Sequence, residues 1–190
     1  AAAECADPVN RELLERIGVP LVVLPADVSE GDRAAHESPR EYVMRLALTK
    51  AERMRSEARA GGAYVVLGAD TVVDVDGEVL EKPMDEADAH RLLATIGGRW
   101  HRVWTGLALV RLETMQWVSG YEVSDVYFDR LTDHDRHVYI ATGEPMDKAG
   151  AYGIQGIGGL FVPEIRGDYF NVMGMPLAEL RRLAHFLEAG

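Results

Sequence analysis

The chain has 190 residues, 47% of them hydrophobic, and a formal net charge of −11. That is enough apolar material for one sizeable core and too little length for two independent domains, so a single domain over 1–190 is expected. No apolar run reaches the length of a membrane span, and so acidic a surface repels phosphate backbones, which argues against a membrane protein and against nucleic acid as a partner. Ala1-Ala2-Ala3-Glu4 has no basic segment followed by an apolar one, so no signal peptide is read there. Cys5 is the only cysteine; it cannot form an internal disulfide, and a cytoplasmic protein is the simplest reading. A small anionic substrate remains compatible with the charge, provided cations or a metal gather locally.

Residues 10–18 read as a helix, with Leu13, Leu14 and Ile17 apolar and Gly18 as the stop. Leu21 to Leu24 is a short buried strand. Ser38-Pro39-Arg40-Glu41 is a helix start, with Ser38 as cap, Pro39 in the first turn and Glu41 completing a capping box. That helix is expected to run to about Arg59, where Gly61-Gly62 ends it. Tyr64 to Val73 reads as a strand, and Asp76-Gly77 as a hairpin turn into Glu78 to Leu80. A helix follows from Asp85 to about Thr95, stopped by Gly97-Gly98. Trp100 to Val110 and Trp117 to Phe128 read as two antiparallel strands. Thr132 caps a helix that ends at Gly143, Gly156 to Val162 leads into a further strand, and Pro176 opens a last helix with the stripe Leu177, Leu180, Leu183, Ala184 and Leu187. The alternation of helix and strand predicts an α/β or α+β domain.

Several residues break the pattern. Asp70 interrupts the apolar run Val65 to Val73, where a carboxylate is costly unless paired, hydrogen-bonded or bound to metal. It reads either as a turn-capping acid or as a site carboxylate. Lys50 falls on the apolar stripe of Val43, Leu46, Ala47 and Met54, either snorkelling to water or aimed into a cleft. Lys82 follows the hairpin, Lys148 lies in the turn-rich stretch Glu144 to Gly150, and each alone reads as a surface lysine. Gln155 sits among glycines and apolar residues, which suits a base contact or a plain turn. His101 is a base or ligand candidate. No histidines have zinc-ligand spacing, and there is no P-loop, dinucleotide fingerprint or serine elbow. The remaining inventory is Glu30, Asp70 and Asp147 with Lys50, Lys82, Lys148 and Gln155, a set suited to a hard cation and a polyphosphate.

Gly68-Ala69-Asp70-Thr71-Val72-Val73, Leu80-Glu81-Lys82-Pro83, the run Gly97 to Gly106, the run Gly143 to Gly156, Gly167 to Val172, and Gly174-Met175-Pro176-Leu177 together resemble the motifs of Maf proteins, over nearly the whole chain. The resemblance implies an elongated mixed sheet flanked by helices, with two lobes and a central cleft. It implies hydrolysis of a nucleoside triphosphate to the monophosphate and pyrophosphate with Mg²⁺ or Mn²⁺, and often a homodimer. The form Asp147-Lys148-Ala149-Gly150-Ala151-Tyr152-Gly153-Ile154-Gln155-Gly156 is similar to the branch acting on dTTP and UTP. By resemblance Asp70 is the proton acceptor, Lys50 and Lys82 contact phosphates, Glu30 helps Asp70 hold metal, and Thr71 and Gln155 bear on base choice.

The amino-terminal motif departs from the family. Where Maf proteins carry Ser-x-Ser-Pro-Arg-Arg after a first strand, this chain has Cys5 to Asn10, with Asp7 at a serine position and Val9 and Asn10 in place of the arginines. Arg11 is one position away and offers a partial substitute. The departure opens a second reading, a catalytically weak relative that binds nucleotide without efficient turnover.

Overall fold

The structure, a computed structural model, describes residues 2–3, 8–23, 33–34 and 36–189, with 2–3, 8–10 and 22–23 described by their backbone. In chain order the elements are β1 (Ala2–Ala3), α1 (Pro8–Arg16), β2 (Val22–Val23), α2 (Pro39–Arg53), α3 (Arg55–Ala60), β3 (Val65–Val75), β4 (Glu78–Leu80), α4 (Glu86–Ile96), β5 (Arg99–Arg111), β6 (Trp117–Phe128), α5 (Asp133–Ala141), β7 (Glu164–Arg166), α6 (Tyr169–Val172) and α7 (Leu177–Ala189). Short 3₁₀ turns lie at Glu144–Asp147, Ala149–Ala151 and Ile157–Phe161. The strand order is β2-β1-β3-β5-β6-β7, with β4 paired to β3. Parallel pairs at β1 and antiparallel pairs at β4 and β7 make the sheet mixed and the fold α/β, as expected.

The chain forms two compact units. The first comprises 1–70, 105–122 and 174–190. Its logic is the period-two alternation of a strand. Leu67, Leu107 and Leu109 point to one face and form a core with Leu14 of α1 and Leu183 and Leu187 of α7. Val66, Ala108 and Val110 point to the other and meet Ala47 and Ala51 of α2, Met54 after it and Ala58 of α3. Helices therefore cover both faces. On the α2 side β3 carries a glycine at its closest approach: a Cβ on Gly68 would strike the Ala47 carbonyl, and it would lie 2.9 Å from the Ala51 nitrogen. Only glycine lets the α2 backbone lie this close to the sheet.

The second unit comprises 71–104 and 123–173. The hairpin β3–β4 pairs Val73 with Leu80, and its turn uses positive φ at Asp76 and Gly77 (53° and 89°). Asp74 holds that turn by accepting the Gly77 N–H at 2.7 Å. Its core joins Val73, Val75, Leu80, Leu92, Leu93, Ile96, Phe128, Tyr139 and Tyr152.

Local signals gave most boundaries. Ser38 and Glu41 form the capping box, as do Thr132 and Asp135, and Asp85 caps α4. Two readings need correction. The helix read from Ser38 to Arg59 is two helices, α2 and α3, broken at Met54 (φ −83°, ψ −1°); no proline or glycine marks the break, and Met54 is buried in the same cluster as Ala51 and Ala58. Ile17 is not part of the buried stripe of α1: the helix ends at Arg16, and Ile17 is 52% exposed. The stretch from Gly156 to Val162 leads into a strand as read: 157–161 is a 3₁₀ turn, and the three-residue β7 follows it. Leu24 lies outside the described residues.

Candidate active site

Two of the anomalous residues meet. Lys50 Nζ lies 2.7 Å from Asp70 Oδ1, with side-chain exposures of 15% and 8%. They are brought together by the packing just described. Asp70 follows Val66 and Gly68 on the face of β3 that meets α2, and Lys50 lies one turn beyond Leu46 and Ala47 on the face of α2 that meets β3. Lys50 is therefore not a surface lysine covering apolar area, and Asp70 is not a turn cap. A carboxylate this buried needs a partner, and the ammonium is one.

The second unit carries Thr71, Lys82, Lys148 and Gln155. Thr71 directly follows Asp70 in β3 and is half-buried. The β3–β4 hairpin returns the chain antiparallel to the segment holding Thr71 and then exposes Lys82 just beyond β4. Lys148 is 28% exposed and pairs with Asp147 at 2.9 Å. Its aliphatic stem lies against Gly153, where a Cβ would be 3.5 Å from Lys148 Cε. Gln155 is exposed at the crest of the Gly-rich loop, its amide nitrogen 3.1 Å from Met173 Sδ.

Arg11 is placed on the exposed side of α1, where it bonds Glu15 one turn away at 2.8 Å. Glu30, Cys5 and Asp7 lie outside the described residues, whereas Pro8, Val9 and Asn10 of the altered motif form the first turn of α1. Among the described residues no three His, Cys, Asp or Glu side chains gather as a metal site. Magnesium usually takes only one or two protein carboxylates and fills its shell with water and substrate phosphates. Asp70, a buried carboxylate of the right hardness, fits that requirement.

His101, a base or ligand candidate from the sequence, is a core residue. Its Nε2 lies 2.8 Å from the Tyr152 hydroxyl, and the ring packs edge-on against Tyr152 at 5.4 Å. Burial, with Arg99 nearby, pushes its pKa down from 6.5 to about 4. The folded protein thus keeps His101 neutral at a pH where the unfolded chain has already bound a proton. Stability rises with pH from about 4 to 6.5 and levels off above, by about 3 kcal/mol from this group. Urea unfolding at pH 5 and pH 7 checks this: His101→Leu is expected to flatten the dependence between those values, and an unchanged slope would refute the assignment.

One residue had no role assigned from the sequence. Glu144, in the run Gly143 to Gly156, accepts hydrogen bonds from the backbone of Ile157 and Gly158 and from Tyr139. Its position after Gly143 and before Pro145 was legible, but its partners are 13 and 14 residues downstream and were not.

Comparison with known proteins converges on one family. The family model described as Maf-like protein matches residues 6–186. The chain is 48% identical over 172 residues to a dTTP/UTP pyrophosphatase of Thermococcus onnurineus, covering 90% of this chain and 89% of that protein. It is 44% identical over 183 residues to one of Bacillus cytotoxicus (96% and 93% covered) and 43% identical over 175 residues to one of Alkaliphilus oremlandii (92% and 89% covered). No helix among the described residues is long and apolar enough to cross a membrane.

Proposed function

The chain belongs to the Maf family, and from that premise we propose that it hydrolyses nucleoside triphosphates, dTTP and UTP foremost, to the monophosphate and pyrophosphate. The observation that carries the reading is the buried Asp70–Lys50 pair, set on the motif that resembles the family's core. The relatives carry the name of an enzyme, so the binding-only reading has no finding in its favour.

In this proposal water attacks the α-phosphorus, its proton passes to the Asp70 carboxylate, and the bond to the oxygen bridging to the β-phosphorus breaks. Lys50 orients the carboxylate, and Lys82 and Lys148 offset charge on the departing pyrophosphate. Asp70, with Glu30, would hold Mg²⁺ or Mn²⁺, which supplies charge neutralisation on the polyphosphate and lowers the pKa of water. Gln155 offers one donor and one acceptor, the pattern that the imide edge of uracil or thymine requires, and Thr71 acts beside it. Arg11 stands nearest the altered motif and acts as its remaining phosphate-binding cation. The two units serve as one domain in this scheme, and the setting is the cytoplasm, with a homodimer as the assembly.

The test is a panel of dTTP, UTP, CTP and GTP, each with Mn²⁺ and with a chelator, followed by pyrophosphate release. Release from dTTP and UTP well above CTP and GTP, abolished by chelation, is expected. No release from any nucleotide would refute the proposal.

A further inference from the structure

The loop that presents Gln155 is clamped by a carboxylate the mechanism above does not use. Glu144 Oε2 accepts the Ile157 N–H at 2.8 Å, and Oε1 accepts the Gly158 N–H at 2.9 Å. Oε1 also accepts the Tyr139 hydroxyl at 2.8 Å, and that hydroxyl oxygen accepts the Gly153 N–H at 3.2 Å. Gln155 thus sits between two anchored stretches, Gly153 before it and Ile157-Gly158 after it. Its own turn is closed by the Gly156 N–H on the Gly153 carbonyl at 3.4 Å.

The glycines of the loop follow from the clamp. A Cβ on Gly156 would strike Glu144 Oε2, and one on Gly158 would come within 2.5 Å of the Tyr139 hydroxyl. The backbone can meet these groups only without side chains. Burial pushes the Glu144 pKa up, but the Gly158 and Ile157 amides, the Tyr139 hydroxyl and the Lys148 charge outweigh it, and the net shift is downward. The clamp is therefore charged at neutral pH, which makes its hydrogen bonds of the strong kind.

We infer that Glu144 is a positioning residue for base selection: by fixing the loop on both sides of Gln155, it sets the direction in which Gln155 presents its amide. The inference rests on the reading of Gln155 as the base-contacting residue. A directional pair of hydrogen bonds is lost when its carrier tilts, whereas phosphate contacts made elsewhere are not. Loosening the clamp should therefore act on base preference and on KM more than on kcat.

The experiment compares kcat and KM for UTP and CTP in the unaltered protein, Gln155→Ala, Glu144→Gln and Tyr139→Phe. Glu144→Gln turns an NH₂ toward a backbone N–H, while Tyr139→Phe removes a single hydroxyl. Gln155→Ala and Glu144→Gln are each expected to cut the UTP/CTP preference by about tenfold, the scale of one charge-assisted hydrogen bond, chiefly through KM for UTP. Tyr139→Phe shifts it the same way by less. Amide exchange at Ile157 and Gly158 should quicken in Glu144→Gln while that of β3 and β5 stays as it was. If Gln155→Ala loses the preference and Glu144→Gln keeps it, the clamp is overturned and the base reading stands. If Gln155→Ala keeps the preference, the base reading falls and the clamp with it. Should Glu144→Gln fail to fold, an unchanged preference in folded Tyr139→Phe overturns the inference.

Discussion

Replacing Asp70 by asparagine is expected to lower kcat for dTTP and UTP by about 10³-fold, the usual worth of a positioned general base. Asparagine has the same shape and keeps an oxygen for Lys50, so the geometry around the 2.7 Å contact survives. What is lost is the site that takes the proton and the negative charge that favours a divalent cation. KM is expected to change much less than kcat, because proton transfer belongs to the transition state. Steady-state pyrophosphate release over a range of UTP concentrations measures both. A loss of less than tenfold in kcat would remove Asp70 from the role of base.

Lys50→Met is expected to damage stability as well as turnover. The substitution leaves Asp70 buried, 8% exposed, and removes the ammonium that lies 2.7 Å from it. Breaking one half of a buried pair costs about 3–5 kcal/mol, far more than the pair contributes over a neutral replacement. The double variant Lys50→Met with Asp70→Asn separates the two effects. It removes both charges of the pair, so urea unfolding should show most of the stability restored, while turnover stays at the level of Asp70→Asn. Stabilities that simply add would show that the two groups do not interact.

Much of this fold was legible because its signals are local. Ser38 with Glu41, Thr132 with Asp135, and the pair Asp76-Gly77 each set an element boundary with neighbours three residues away or fewer. The leucine stripe of α7 was legible for the same reason, as a period repeated along one helix. The break at Met54 was not, because nothing in its own neighbourhood demands it. Nor were the 3₁₀ turns between Glu144 and Phe161, which are held from a distance.

The site divides in the same way. Asp70 and Lys50 each stood out as a charge where an apolar residue was due, but their meeting depends on α2 lying close against Gly68 and Gly106. Spacing along the chain does not give that. Arg11, named for its place beside the altered motif, bonds Glu15 four residues along the same helix, a pairing that local spacing does give. Glu144 carried a signal only in hindsight: an acid between glycine and proline, followed at the right distance by glycines that leave room for it.

Attack of water at the α-phosphorus of a nucleoside triphosphate leaves a mark on the products. Turnover of UTP in ¹⁸O-labelled water, with both products analysed by mass, is expected to give UMP and pyrophosphate, with the label in UMP. Label in pyrophosphate would place the attack at the β-phosphorus, and UDP with labelled phosphate would place it at the γ-phosphorus; either result would rule out attack at the α-phosphorus.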